Sequence, residues 1–177
     1  MNVKEAIENR RSIRKYIDKE VPYEYLLELI YSAQLAPSAK NRQPWRFKIL
    51  TNEEKNAIIN MMISYDQEEN EKLSDSISFT ANVMKDAYNI ILIFSKKDEK
   101  WRDFDLLSIG ACVENMCLYA EELDLATLWI GDIVFIKDKI NSYLKIKDLE
   151  LVSALAVGYP NQFPKKRPRE PLETIII

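Results

Sequence analysis

Apolar residues recur along this chain in two different periods, and the strand-like period predicts a sheet. Trp45–Leu50 alternates between apolar and polar residues, as a half-buried strand does. Tyr88–Phe94 and Leu151–Gly158 are unbroken apolar runs of strand length, as in central strands. Ala126–Ile130 is a shorter run of the same kind, and Lys15–Val21 is expected to be extended. The pattern therefore predicts four strands, preceded by one extended segment.

Helical spacing of the other apolar residues predicts six helices. The longest, Asp103–Leu123, is apolar on almost every side, so we expect it to be buried, partly against a second subunit. Gln67–Asp75 is acidic and polar, and a solvated helix or loop is expected there. The five other predicted helices are Asn2–Asn9, Pro22–Leu35, Glu53–Ser64 with Asn52 as its N-cap, Ser76–Lys85 and Phe135–Leu144.

Length and linker content predict one domain that spans residues 1–177, because no internal repeat and no flexible linker interrupts the chain. Four prolines between Pro160 and Pro171 predict an extended C-terminal tail. We expect the terminal Ile175–Ile177 to pair with a sheet edge, because an exposed run of isoleucines would promote aggregation. The elements together predict an α+β fold.

Composition argues against several kinds of function. The net charge of −3 argues against a general nucleic-acid binder, which usually carries a basic surplus. No apolar run approaches the length of a membrane span, and the polar first residues do not resemble a signal peptide. We therefore expect a cytoplasmic protein without membrane contact. Cys112 and Cys117 are expected to be small buried hydrophobic side chains in a reducing compartment.

Missing residue types restrict the chemistry further. Histidine is absent, which excludes Ser-His and Cys-His nucleophilic sites and most zinc sites, so no metal is predicted. The three glycines, Gly110, Gly131 and Gly158, are too few and too scattered for a glycine-rich phosphate loop. Any reaction must therefore use a bound cofactor or carboxylates.

Arginine is the scarcer base, with 8 residues against 17 lysines, and its distribution is uneven. Its planar fork of donors suits phosphate and carboxylate better than the ammonium of lysine does. The clustering suggests that three segments converge on one anionic group, although a solvated basic turn is an equal alternative for the first cluster. Seven of the eight arginines fall in three clusters: Arg10, Arg11 and Arg14; Arg42 and Arg46; Arg167 and Arg169.

Three motifs and the tail resemble the FMN-dependent nitroreductases over nearly the whole chain. They are Arg10-Arg11-Ser12-Ile13-Arg14, Ala36–Trp45, and Trp129-Ile130-Gly131, with a tail from Gly158 to Glu173. The second motif is the most specific. One departure is Leu123–Leu128, where that family commonly has a glycine-rich turn. The resemblance implies a central, mostly antiparallel sheet flanked by helices, in an obligate homodimer that binds two FMN molecules at its interface.

The same resemblance implies the site residues. Arg10, Ser12 and Arg14 would hold the ribityl phosphate and part of the flavin ring, and Arg169 would complete the phosphate site. Arg11 would contribute largely through its backbone. The neighbouring subunit would supply Pro37, Ser38, Ala39 and Asn41, and the backbone at Ile130 and Gly131 would pass beside the flavin N5 nitrogen.

The activity implied is that of an FMN oxidoreductase with NADH or NADPH as hydride donor. A nitroaromatic or quinone-like acceptor would then be reduced in a ping-pong cycle, with no catalytic side chain required. Two alternatives remain open: a flavin-binding protein without turnover, for storage or sensing, and a specialised relative that destroys flavin or removes halogen. Met61–Met84 carries no recognisable motif, which leaves the acceptor open.

Several neighbouring residues have simpler structural interpretations. Arg42 and Arg46 are expected to be surface residues, since alternate side chains of a strand point in opposite directions. Trp129 is expected to pack in the core or interface, and Asp105 and Glu114 to form interface hydrogen bonds. Lys166 and Arg167 are equally well explained as solvated tail charges. Gly131 is expected to lie where a side chain cannot fit.

Overall fold

The computed structural model describes residues 1–68 and 74–176, with side chains described for 1–65 and 76–176. The helices are α1 (Val3–Asn9), α2 (Tyr23–Gln34), α3 (Asn52–Glu68), α4 (Ser74–Asp86), α5 (Arg102–Glu122), α6 (Lys137–Tyr143) and α7 (Leu172–Ile175). The strands are β1 (Tyr16–Ile17), β2 (Trp45–Ile49), β3 (Asn89–Lys96), β4 (Ala126–Ile130) and β5 (Leu149–Pro160).

The five strands form one sheet in the order β1-β5-β3-β2, and β4 also pairs with β5. Every strand pair is antiparallel. Strand β5 is the centre of the sheet, because it pairs with β3, β4 and β1 along its 12 residues. The predicted α+β fold with a mostly antiparallel sheet and flanking helices is therefore confirmed.

Helices cover both faces of the sheet, which explains the unbroken apolar run in β3. Ile90, Leu92 and Phe94 pack into a core beneath α3 and α4. Ile91 and Ile93 point to the opposite face and pack with apolar residues of α2 and α5. Because alternate residues of one strand enter two cores, no polar face is needed.

Two predicted boundaries were wrong. Thr51, not Asn52, caps α3: the Glu54 amide donates to Thr51 Oγ1 at 3.2 Å, and the Thr51 amide donates to Glu54 Oε2 at 3.0 Å. Asp132–Ile136 forms a 3-10 turn, so the helix predicted from Phe135 begins at Lys137. Of the predicted polar segment Gln67–Asp75, residues 69–73 lie outside the described part of the chain, and the flanking positions are helical.

The predicted pairing of the last residues with a sheet edge was also wrong for Ile175 and Ile176, and Ile177 lies outside the described part of the chain. Residues 161–171 form an extended tail without regular structure, but Leu172–Ile175 then form a short helix. Ile175 and Ile176 are exposed. Pro171 precedes this helix in an extended conformation, and the Thr174 hydroxyl donates to the Pro171 carbonyl at 2.7 Å. Local hydrogen bonds at Pro171 thus favour one helical turn over strand pairing.

Gly158, rather than Gly131, is the glycine that the packing of this chain requires. A Cβ at Gly158 would lie 2.8 Å from Cδ1 of buried Tyr16, whose hydroxyl donates to the Ile13 carbonyl at 2.8 Å. Gly131 has an ordinary φ of −92°, and a Cβ there would meet no atom of the chain within 4 Å. The expectation that Gly131 lies where a side chain cannot fit was therefore wrong for this chain by itself.

In the described parts of the chain, no helix is long and apolar enough to cross a lipid bilayer. This includes α5, which has 21 residues.

We predict that Gly158→Ala destabilises the cofactor-free protein by about 1–3 kcal/mol, because the new methyl group overpacks against the Tyr16 ring. Gly131→Ala is the matched control and should leave stability nearly unchanged, since its methyl group enters open space. Urea unfolding of both variants measures the difference. Equal midpoints for the two variants would contradict the packing of Tyr16 on Gly158.

Candidate functional site

A strongly basic cavity of about 520 Å³ lies between the first arginine motif and the C-terminal tail. Seven of the described residues that line it are basic and one, Glu8, is acidic. In a chain with a net charge of −3, this concentration of positive charge indicates an anion site. The lining residues are Ile7, Glu8, Arg10, Arg11, Ser12, Arg14, Pro164, Lys165, Lys166, Arg167 and Arg169.

The sheet fixes the backbone of the first arginine motif. Helix α1 ends at Asn9, and Ser12 then forms an isolated parallel bridge with Thr127 of β4. The Ile13 amide donates to the Thr127 carbonyl at 3.0 Å, and the Ile13 side chain is buried. The arginines on either side of this contact therefore project from a backbone that is attached to the sheet.

Two arginines of this motif carry buried donors that lack acceptors. Arg11 Nη1 donates to the carbonyls of Glu8 at 2.7 Å and Arg10 at 2.8 Å. Arg10 Nε lies 3.3 Å from Glu114 Oε1, but the geometry is not that of a hydrogen bond. The Nε atoms of Arg10 and Arg11 are both buried without a hydrogen-bond partner in the described structure. These contacts hold the two guanidinium groups against α1 and α5 at the edge of the basic cavity.

The positive field of these arginines reaches α5. Burial raises the pKa of Glu121, while the charges of Arg10 and Arg11 hold that rise back.

Arg14 follows Ser12 in the motif, and its Nη1 donates to the Ser12 carbonyl at 3.2 Å. Within this chain Glu114 pairs with Arg10, and the interface hydrogen bond expected of Glu114 stays a prediction.

The first and third arginine clusters converge on this cavity, but the second does not. Arg42 pairs with Asp98 and with Asp105, and Arg46 donates to the carbonyls of Gln43 and Trp45. Arg46 is exposed, as expected, whereas half-buried Arg42 is a structural residue rather than a surface one. Asp105 was expected at an interface but is paired within the chain.

Tail lysines were the part of the cavity that the sequence did not identify. Lys165 and Lys166 line it beside Arg167 and Arg169, although solvated tail charges explained Lys166 and Arg167 equally well from sequence. The two lysines lie close to Arg169 in the sequence, and this proximity was the signal that could have identified them as lining residues. All four residues are exposed.

The loop that precedes β2 lies outside this cavity. Pro37, Ser38, Ala39 and Asn41 do not line the basic cavity of their own chain. The loop has an unusual backbone, with positive φ at Lys40 (51°), Asn41 (53°) and Gln43 (47°), and the Gln43 amide donates to Ser38 Oγ at 3.1 Å.

Ile130 and Gly131 lie at the end of β4, also away from the basic cavity. Ile130 is buried and Gly131 is exposed at the start of the 3-10 turn. Asp132, which sequence reasoning did not single out, accepts hydrogen bonds from Thr80 at 2.6 Å and Ser76 at 3.3 Å. These bonds join α4 to the turn beside Gly131.

The chain shows no reactive thiol in its described part. Cys112 and Cys117 are free and buried, as predicted. Burial raises the pKa of Cys112 to about 12 and that of Cys117 to about 11. In the same described residues, no group of Cys, Asp and Glu side chains is arranged to hold a metal ion.

Trp129 is 42% exposed, and its ring lies 3.9 Å from the position that a Cβ at Gly110 would occupy.

Comparison with known proteins gives the family. The model of the Nitroreductase family matches residues 7–159. A Methanothermobacter thermautotrophicus protein, provisionally described as an NADH dehydrogenase or NAD(P)H nitroreductase, is 30% identical over 171 residues, covering 94% of this chain and 82% of the relative. Iodotyrosine deiodinase from Thermotoga neapolitana is 28% identical over 174 residues, covering 90% of this chain and 89% of the relative.

A solved structure agrees with these sequence relatives. It is a Desulfovibrio desulfuricans protein in complex with FMN, provisionally described as a nitroreductase. It is 27% identical to this chain, with a TM-score of 0.83, and the match covers 100% of this chain and 96% of that one. From the family match, the relatives and the shared fold, we conclude that this chain belongs to the nitroreductase family.

Proposed function

We propose that this protein is an NAD(P)H-dependent FMN oxidoreductase that reduces an electron-poor acceptor, with residues 1–177 acting as one FMN-binding domain. The observation that carries the proposal is the basic cavity, whose described lining has seven basic residues and one acid. A ribityl phosphate carries nearly two negative charges and several strong acceptors, which is the complement of this lining. The FMN complex of the D. desulfuricans relative supports the choice of anion.

Four side chains are assigned to the phosphate. Arg10, Ser12, Arg14 and Arg169 line the cavity and hold the anion, while Arg11, whose Nη1 is engaged by backbone carbonyls, contributes mainly by fixing the local backbone. Because Arg10 also lies 3.3 Å from Glu114 Oε1, helix α5 orients the cluster.

The flavin ring is assigned to the end of β4. Bound FMN would supply the redox chemistry, accepting a hydride from NADH or NADPH and passing reducing equivalents to the acceptor. Ile130 and Gly131 would place backbone groups beside the ring. The open space at Gly131 leaves room for the ring to approach the backbone closely. The chain's own residues then bind, orient and shield, and no side-chain nucleophile is needed.

A second copy of the chain is proposed to complete the site. Pro37, Ser38, Ala39 and Asn41 lie outside the cavity of their own chain, which suits a loop that reaches the partner's flavin. Helix α5 also exposes large apolar side chains, with Phe104 54% and Leu107 75% accessible. Burial of these side chains against a partner would be favourable. The free cysteines fit a reducing compartment, so we propose the cytoplasm as its location.

The acceptor class has two candidates. A nitroaromatic or quinone-like acceptor agrees with the name of the M. thermautotrophicus relative. The T. neapolitana deiodinase, which matches almost the whole chain, favours reductive removal of halogen as the second candidate. Storage or sensing of flavin without turnover is the competing non-enzymatic function.

The proposed reaction predicts that the purified protein is yellow and releases FMN on denaturation. In anaerobic titration, NADH or NADPH should bleach the bound flavin within seconds, and a nitroaromatic or quinone should restore its colour. For the second candidate, reductive removal of halogen, iodotyrosine replaces the nitroaromatic or quinone as the acceptor in the same titration. A protein that binds FMN but is bleached by neither nicotinamide would be a binder rather than an oxidoreductase, and one that fails to bind FMN would refute the proposal.

The shared site predicts complementation in mixed dimers. One subunit carries Arg14→Ala and the other carries Asn41→Ala, so one site of the heterodimer combines both substitutions and the other has neither. The intact site should bind FMN with wild-type affinity. The measurement is FMN fluorescence quenching by heterodimers purified with two different affinity tags, compared with each homodimeric variant. Failure to recover one wild-type site, or an FMN-bound monomer in sedimentation, would contradict the shared site.

A further inference from the structure

We infer that Arg42 is the positioning residue that holds the loop Pro37–Gln43 in its conformation. This loop contains three non-glycine residues with positive φ, at Lys40, Asn41 and Gln43. Such conformations are disfavoured for ordinary L-residues and persist only where the surroundings impose them. Hydrogen bonds inside the loop, among them those from the Asn41 amide to the Ser38 carbonyl and from the Gln43 amide to Ser38 Oγ, shape its turn but do not attach it to the rest of the fold.

Arg42 supplies that attachment through a two-armed bond to a buried carboxylate. Its Nε donates to Asp105 Oδ1 at 3.0 Å and its Nη2 donates to Asp105 Oδ2 at 3.1 Å. The Asp105 side chain is only 1% exposed, in the first turn of α5. The same Nη2 also donates to Asp98 Oδ2 at 2.8 Å, in the segment that follows β3. One side chain thus joins the loop to two parts of the scaffold.

An aromatic ring completes the anchor. The Arg42 guanidinium lies 4.7 Å from the centroid of Trp101, and Lys40 Nζ lies 5.1 Å from the same centroid. Trp101 immediately precedes α5 and packs against Phe104, with 5.6 Å between the centroids of the two rings. The hydrogen bonds to Asp105 raise the pKa of Arg42. Lysine would lose the paired bonds of the planar guanidinium, so Lys is not equivalent here.

The functional consequence rests on the proposed function. If Asn41 and its neighbours touch the flavin of the partner subunit, loss of the Arg42 anchor leaves the loop to be ordered by FMN itself. FMN binding then includes that ordering cost, and the affinity falls. Arg42 acts through the loop and is not assigned a contact with the cofactor.

Limited trypsin digestion of the cofactor-free protein tests the anchor without any reference to flavin. Lys40 lies inside the loop, and mass spectrometry can follow cleavage of the Lys40–Asn41 bond in every variant. We expect Arg42→Ala to speed this cleavage roughly tenfold or more, because local opening exposes the bond. Lys48→Ala is the matched control: Lys48 belongs to the adjacent strand β2 and pairs with Glu54 of α3 at 2.8 Å rather than with a loop residue, so the cleavage rate at Lys40 should stay near wild type.

A second variant separates the anchor from general instability. Arg42→Ala leaves the Asp105 carboxylate buried without its partner, which could unfold the protein. Arg42→Met with Asp105→Leu removes both charges, and this protein should remain folded by circular dichroism yet still be cleaved rapidly at Lys40. Wild-type cleavage rates in both proteins would overturn the inference.

FMN affinity is then measured on the same proteins. We expect the Arg42→Met/Asp105→Leu protein to bind FMN roughly tenfold more weakly and Lys48→Ala to bind it as wild type does. Rapid cleavage with unchanged FMN affinity would overturn the role of Arg42 toward the cofactor. If the wild type itself binds no FMN, the proposed function fails, while the cleavage rates still decide whether Arg42 holds the loop.

Discussion

The repulsion among the basic side chains of the cavity is the constraint on which the site depends. Arginines from the start of the chain and lysines and arginines from its tail face one space with a single acid, Glu8, among the described lining residues. Like charges brought together in a partly buried space are unfavourable unless an anion offsets them. The fold therefore gathers positive charges whose repulsion a negatively charged ligand would relieve, and the phosphate of FMN is the ligand that we propose.

The sheet makes this arrangement possible by fixing the backbone from which the arginines project. Strand β5 occupies the centre and carries β4, and β4 in turn holds Ser12 and Ile13 through Thr127. Because the same strand ends at Ile130, next to Gly131, one element supports both the first arginine motif and the proposed ring position. Gly158 contributes by letting the Tyr16 ring pack directly on β5.

Periodicity predicted most of the secondary structure because burial in this fold follows simple rules. The unbroken run in β3 is explained by cores on both faces, and α5 was recognised from its nearly continuous apolar surface. Boundaries were less predictable, because side-chain capping by Thr51 and local hydrogen bonding after Pro171 depend on geometry that a pattern does not show.

The candidate site was predictable where residue type alone carries the chemistry, and otherwise not. Clustered arginines predicted an anion site, and two of the three clusters do meet. Arg42 looked the same in sequence, but its partner Asp105 lies 63 residues away and only the fold brings the two together. Gly131 was singled out for a lack of space that exists instead at Gly158. The roles of Pro37, Ser38, Ala39 and Asn41 still rest on family resemblance and on the proposed dimer.

The central claim is that the basic cavity binds the phosphate of FMN, and a comparison of FMN with riboflavin tests it most directly. Riboflavin has the same ring and ribityl chain but no phosphate. By fluorescence titration, the wild type should bind FMN much more tightly than riboflavin. Arg14→Ala should weaken FMN binding about ten- to a hundredfold, through loss of a charged hydrogen bond of roughly 1.5–3 kcal/mol, and leave riboflavin binding nearly unchanged. Equal affinity of the wild type for the two flavins, or an equal loss for both in the variant, would contradict the claim.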